Sequence, residues 1–313
     1  MLRTIYHRYF FRGDVSRCAA IIGSVAVAIL SSSSSAQETG EWAIDPEFDV
    51  AIKGVTAESA IRDDEETIDG DAIAFRLSPS ASIANENIEI VVRNSATRIE
   101  YFEEDRTDRW QNVARVSAEL QTDDSGSIMA FAERGDNLST AEFSRTDEWE
   151  FGARVERELS RSNRLRLGAS WRDRHYDDLA QSTGAGPQLD GEFRHRVAAN
   201  HYIYARGRYE EIDSGNPIRD MSRWTVAASY QRPIGPDLRI RPEIAYRDLD
   251  YPGRIVADGT YRQDDILTPE VTLLYSPGPW LVVAEARYIV RNSNDPAFDR
   301  EGYRVSFEVG YEF

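Results

Sequence analysis

Tyr303-Arg304-Val305-Ser306-Phe307-Glu308-Val309-Gly310-Tyr311-Glu312-Phe313 closes the sequence with large apolar residues alternating, without a break, with small or charged ones. Successive side chains of a strand point to opposite faces. One face therefore carries Tyr303, Val305, Phe307, Val309, Tyr311 and Phe313, and the other Arg304, Ser306, Glu308, Gly310 and Glu312. A soluble sandwich can also contain one such strand. The unbroken pattern, held over about the 9–11 residues that a tilted strand needs to cross a bilayer, favours a wall with lipid on one side.

The same period of two recurs upstream. Ile73, Phe75, Leu77, Pro79, Ala81 and Ile83 alternate with Arg76, Ser78, Ser80 and Ser82. Ile88, Ile90 and Val92 alternate with Glu89, Arg93 and Ser95, and Trp110, Ala114, Val116, Ala118 and Leu120 with Arg115, Ser117 and Glu119. The clearest hairpin spans residues 147–175, turning at Ser160-Arg161-Ser162. Trp149, Phe151, Ala153, Val155, Leu159, Leu165, Leu167, Ala169 and Trp171 share its apolar face. The other face carries Glu148, Glu150, Arg154, Glu156 and Glu158 on one strand and Arg164, Arg166 and Arg172 on the next. Opposite charges on neighbouring strands contribute about 0.2–1 kcal/mol per pair and need water nearby, so this face predicts a lumen.

Further strands run through Trp224, Val226, Ala228 and Tyr230, through Leu238, Ile240, Pro242, Ile244 and Tyr246, through Val271, Leu273 and Tyr275, and through Val282, Ala284, Ala286 and Tyr288. Arg239, Arg241 and Glu243 are lumen candidates in the second of these. Pro242 has no N–H for a ladder and a closed barrel has no free edge, so a bulge or a locally unpaired neighbour is expected there. Between residues 192 and 211 the alternation changes phase, with Phe193, Val197 and Ala199 odd and Tyr202 and Tyr204 even, and a tight turn near Asn200 explains the change.

Short connections near 84–86, 122–126, 160–162, 200, 232–236 and 276–279 alternate with long ones near 61–70, 102–109, 135–146, 177–191, 212–221, 248–263 and 291–300. The pattern predicts an all-β fold, a single closed antiparallel transmembrane barrel over residues 48–313 with about fourteen strands. Its short turns would be periplasmic and its long loops extracellular. Twelve strands result instead if 192–211 form one strand and 48–58 stay outside the wall. Residues 37–47 read as a short polar periplasmic arm.

The ending resembles the last strand of bacterial outer-membrane proteins, where a final Phe follows aromatic or aliphatic residues at alternate positions. Tyr303, Phe307, Val309, Tyr311 and Phe313 match that pattern. The resemblance implies that this strand is read by the barrel-assembly machinery, and that outer-membrane lipid and lipopolysaccharide are the barrel's surroundings. The stretch Tyr288-Ile289-Val290-Arg291-Asn292-Ser293-Asn294-Asp295-Pro296-Ala297-Phe298-Asp299 is similar to the end of small β-barrel porin families, some of which lie with surface-polysaccharide export genes. Barrels that assist surface-lipoprotein export end in a similar way. These likenesses cover only the residues quoted and imply an envelope class, with no activity.

Of 313 residues, 41% are hydrophobic, yet no span of about 20 apolar residues could form a transmembrane helix. A barrel strand needs apolar groups only at every second position. Arg3, Arg8, Arg12 and Arg17, an apolar run from Cys18 to Leu30, and the small residues Ser34 and Ala36 read as a secretory signal peptide over residues 1–36, cut before Gln37. The sole cysteine, Cys18, lies in that segment, so the mature chain is expected to form no disulfide. A net charge of -17, with arginines interspersed among carboxylates, argues against nucleic acid as a partner.

Signals for chemistry are sparse. His7, His175, His195 and His201 show no metal-ligand spacing, and no metal or cofactor is expected. Arg174-His175-Tyr176-Asp177-Asp178 is the one cluster that suggests a rim enzyme, against the plainer reading of a solvated loop entry. Asp63-Asp64-Glu65-Glu66 with Asp69 and Asp71 could attract Ca²⁺ or Mg²⁺, but the ordered calcium-loop pattern is absent. Tyr101, Trp110, Trp149, Tyr176, Tyr230, Tyr246, Tyr275 and Trp280 are assigned to aromatic girdles. Ser78, Ser80, Ser82, Gly152 and Gly168 would leave space in the lumen. Three classes follow: a narrow charged-lumen porin or export accessory for polar solutes or oligosaccharides, a structural or adhesive barrel, and a rim hydrolase.

Overall fold

The computed structural model describes residues 42–58, 70–103, 106–123, 125–140, 145–177 and 183–313. The predicted signal peptide, Cys18 and the start of the arm lie outside the described residues. Fourteen strands form one closed antiparallel barrel. They are β1 (Ala43–Glu58), β2 (Ala72–Ala84), β3 (Ile88–Tyr101), β4 (Arg109–Asp123), β5 (Gly126–Leu138), β6 (Thr146–Ser160) and β7 (Asn163–Tyr176). They continue as β8 (Thr183–Ala198), β9 (His201–Ser214), β10 (Met221–Pro233), β11 (Leu238–Ile255), β12 (Tyr261–Tyr275), β13 (Trp280–Ser293) and β14 (Arg300–Glu312). Each strand pairs with its sequence neighbour, and β1 closes the ring on β14 through Asp49↔Glu312 to Glu58↔Tyr303.

Fourteen is the expected count, and a tight turn does lie at Asn200, in left-handed conformation with φ 61°. The expected change of phase is absent: Phe193 and Val197 of β8 and Ile203 of β9 are all exposed, so the outer face stays on odd residues and Tyr202 and Tyr204 face inward beside Arg194. The strands run longer than their apolar alternation. β1 begins at Ala43 and takes in the end of the expected arm, β8 begins at Thr183 inside the expected loop 177–191, and β11 reaches Ile255 inside the expected loop 248–263. Gly184-Ala185-Gly186-Pro187-Gln188 has no apolar rhythm, yet it pairs in register with β7. Its β-structure comes from the neighbour's hydrogen bonds, and no side-chain pattern announces that.

Pro242 pairs with Val271 of β12, while on its other side the β10 ladder breaks opposite Pro242 and Arg241 and resumes in the same register. This is the locally unpaired neighbour expected, without a bulge. Pro79, Pro187 and Pro269 interrupt the β2–β3, β8–β9 and β12–β13 ladders in the same way. A missing N–H removes one rung toward one neighbour only, so the barrel tolerates all four.

One face of the wall leaves Phe75, Val116, Phe151, Val155, Leu167, Trp224, Val226, Ile244 and Phe307 exposed. The opposite face carries the ion pairs, several of which skip a strand, such as Arg76 of β2 to Glu308 of β14 at 2.5 Å. Side chains that meet over an intervening strand lie on the concave side. The apolar face is therefore outside and the charged face lines the interior.

Closure of the ring rests on β14. The Phe313 N–H donates to the Phe48 carbonyl at 3.0 Å, and their rings lie 5.9 Å apart. Trp280–Tyr311 at 4.8 Å and Tyr311–Phe313 at 4.6 Å complete an outward aromatic cluster at the end of the barrel that carries the short turns. Tyr303, Phe307 and Val309 lie on the same outward face of β14 as these rings.

Candidate functional site in the lumen

The inner faces of β6 and β7 bring Glu150, Arg154, Glu156, Arg166 and Arg172 together, opposite the exposed apolar residues of the same strands. Glu156 accepts from Arg164 at 2.6 Å and from both Nε and Nη2 of Arg166 at 2.9 and 2.7 Å. Arg166 also lies 3.7 Å from Glu192 of β8. The ladder is not a set of simple rungs. Arg172 stands opposite Glu150 in register, yet its guanidinium reaches past β8 to Glu210 of β9.

On β11, Arg239, Arg241 and Glu243 lie on the inward face of the strand. Glu243 accepts from Arg206 across β10, Arg239 stands exposed near the turn, and Arg241 buries its Nε without a hydrogen-bond partner. Three of the eight predicted lumen residues, Arg154, Arg166 and Glu243, line a recess of about 230 Å³ in the wall from β6 to β11. Arg206, Arg208, Arg247, Asp190 and Glu192 share it, with Thr225, Ala227 and Ala245 as its small residues. Glu150, Glu156, Arg172, Arg239 and Arg241 are not part of the recess.

The lumen differs between its ends. Near the short turns the inward Glu47, Glu89, Glu158, Arg196 and Arg239 are exposed. Near the long loops the interior is packed. Glu210, 1% exposed, sits among Arg172, Arg174 and Arg223, with Arg174 at 3.2 Å and also bound to Glu148. Beside it Ile212, Met221, Leu249, Tyr251, Ile266 and Ile289 form one apolar cluster, and Asp264 holds Arg262 and Arg291. Buried charges of this kind persist only where paired.

The connection between β9 and β10 adds to this packing. Pro217–Arg219 form a single 3-10 turn capped by Asn216, whose side chain accepts from the Ile218 N–H at 3.3 Å. Arg219 is buried over the Tyr176 ring at 4.6 Å, on the inner side of β7. The turn lies so close to β11 that a Cβ on Gly253 would sit 1.5 Å from the Pro217 carbonyl oxygen. Only glycine admits that approach.

Several expectations need correction. Tyr101 and Tyr176 do not belong to a girdle. Tyr101 packs inward against the Val55, Ala72, Ala74 and Ile99 cluster, and Tyr176 is fully buried. Trp110, Trp149, Tyr246, Tyr275 and Trp280 do stand exposed on the outer face. Gly152 does not open the lumen, because the inward ring of Phe131 occupies its place: an added Cβ would lie 2.6 Å from that ring. The Arg115 guanidinium lies over the same ring, 4.1 Å from its centre. Phe131 escaped sequence reading because an aromatic residue is normally assigned to the lipid face; its phase with Glu133 was the available signal.

His175 pairs in register with Asp147 on the outer face, beside a recess of about 1020 Å³ that also holds Arg98, Arg109, Arg145 and Asp177. Its expected companion Asp178 lies outside the described residues, as does the acidic run from Asp63 to Asp69. Asp71 is committed to structure, accepting from the Thr56 hydroxyl and the Ala57 N–H, both at 2.9 Å. Among the described residues no group of three His, Cys, Asp or Glu side chains is placed to hold a metal ion.

No family model and no curated protein matches the sequence. Solved structures share the fold. The outer membrane channel DcaP of Acinetobacter baumannii superposes with a TM-score of 0.54 at 11% identity, over 90% of this chain and 100% of that one. OmpT, an outer membrane protein of Vibrio cholerae, gives 0.54 at 8% identity over 87% and 99%. A bacterial polysaccharide outer membrane secretin gives 0.50 at 12% identity over 86% and 98%. At these identities the likeness is one of fold: this chain is a closed β-barrel of the kind found in bacterial outer-membrane channels.

Proposed function

We propose that this chain is an outer-membrane porin-like channel with a narrow, charged lumen for small polar solutes. The observation that carries the reading is the contrast between the two faces of one wall, apolar outside and lined within by paired arginines and carboxylates that leave an open recess. Charged rings of this kind set selectivity in narrow pores. The signal sequence read over residues 1–36 supports export, and the apolar exterior suits lipid with lipopolysaccharide around it. Single-channel recording in planar bilayers with purified, folded protein tests the reading, and discrete current steps are expected. The packed loop end favours a second reading, a structural barrel without transport, and a silent bilayer would support that instead.

The same proposal extends to assembly. Phe313 seals β14 to β1 and ends the strand taken as the recognition signal. Deleting Phe313 is expected to lower the amount of heat-modifiable barrel in the outer membrane while periplasmic export continues. An undiminished yield of inserted barrel would remove Phe313 from that role.

A further inference from the structure

We propose that the recess between β6 and β11 is a binding subsite for a polyhydroxylated acid of monosaccharide size, with its carboxylate on Arg154 and a hydroxyl donating to Asp190. The inference rests on the channel reading, since the lumen is the solute's route. Five guanidinium groups and three carboxylates line the recess. Most are already engaged: Arg166 by Glu156 and Glu192, and Arg206 by Glu243. Arg154 is different. Among the described residues no carboxylate lies within 4.0 Å of it, and its buried Nε has no hydrogen-bond partner. A guanidinium offers five donors in a rigid fork that matches a carboxylate bidentately, so a guanidinium that lines the recess without a carboxylate partner selects an oxyanion.

Asp190 supplies the second half. Arg154, Gly168 and Asp190 are successive register partners on β6, β7 and β8, and only a glycine separates the two charges. A Cβ on Gly168 would lie 2.4 Å from the Asp190 carboxylate, so any other residue there would push that group aside. Two strand spacings separate their backbones, about 9.6 Å. Across that gap Arg154 and Asp190 form no ion pair with each other, and Asp190 forms none with any described residue. A carboxylate accepts readily from hydroxyls, so the pair recognises a solute that is acidic at one edge and hydroxylated at the other. Thr225, Ala227 and Ala245 leave the volume for its ring.

The test is calorimetric titration of the folded, detergent-solubilised barrel with glucuronate, glucose and inorganic phosphate, alongside bilayer recordings. Glucuronate is expected to bind, and glucose to bind at least about tenfold more weakly. Arg154→Gln should weaken glucuronate by roughly tenfold or more, and Arg154→Lys, which keeps the charge without the fork, by less. Asp190→Asn should weaken glucuronate and leave phosphate unchanged. Phosphate binding as tight as glucuronate, and indifferent to Asp190→Asn, would make this a plain anion site and overturn the assignment. A conducting channel that does not bind glucuronate overturns the subsite and leaves the channel standing. A silent barrel that binds glucuronate in an Arg154-dependent way upholds the subsite and removes the channel.

Discussion

Glu210→Ala is expected to destabilise the barrel by about 3–5 kcal/mol, the cost of breaking a buried ion network by removing one partner. Glu210 is 1% exposed and holds Arg172, Arg174 and Arg223, whose side chains are 6%, 5% and 3% exposed. Without the carboxylate, three guanidinium groups from β7 and β10 would face one another with little water to screen them. They can escape only by loosening the packing against Ile212 and Met221 at the loop end. Glu211→Gln is the matched control, since the next residue faces outward and only accepts the Tyr209 hydroxyl at 2.7 Å. It should stay within about 0.5 kcal/mol of the parent. Denaturant unfolding in lipid vesicles reads both, and equal costs would deny the hub its role. On the channel reading, Glu210→Ala should also raise single-channel conductance, because the network helps to close the lumen at that end.

That hub shows where the sequence stopped being informative. The barrel itself was legible because lipid demands an apolar residue at every second position, and Trp149 to Leu159 and Leu165 to Trp171 obey that demand. Interior residues answer to no such rule. Glu210 follows Tyr209 in a stretch where the inward rings of Tyr202 and Tyr204 blur the alternation, and nothing in Arg208-Tyr209-Glu210-Glu211 marks Glu210 rather than Glu211 as buried. Its partners sit 13 to 38 positions away: Arg223 stands directly opposite it on β10, and Arg172 and Arg174 of β7 meet it only because their long side chains span β8. Phase is the signal that remains: Ile212 continues the even, inward series of Arg208 and Glu210, and Leu249 and Tyr251 continue the odd series of Arg247. Following phase past the last lipid-facing residue would have found the inner cluster. It would not have found the loop turn at Pro217–Arg219, which depends on the missing Cβ of Gly253 more than 30 residues further on.

The outer face makes the second large prediction. Leu167 is 54% exposed near the middle of β7 and Val116 is 49% exposed near the middle of β4. Replacing either with Arg should cost about 2–4 kcal/mol, the depth-dependent penalty for a cation on the lipid face of a barrel. Ser117→Arg is the decisive comparison. Ser117 is the next residue along β4 and faces inward, level with the ring of Phe131 on β5 and one inward position from Arg115 and from Glu119. There a guanidinium finds water and carboxylates, and the change should cost no more than about 1 kcal/mol. A shift of one residue reverses the face in a strand, so the step in cost between Val116 and Ser117 measures which side meets lipid. Urea unfolding of vesicle-folded protein, followed by tryptophan fluorescence, gives the three values on one scale. Similar costs at Val116, Ser117 and Leu167 would mean that both faces meet water, and a soluble barrel would replace the membrane wall.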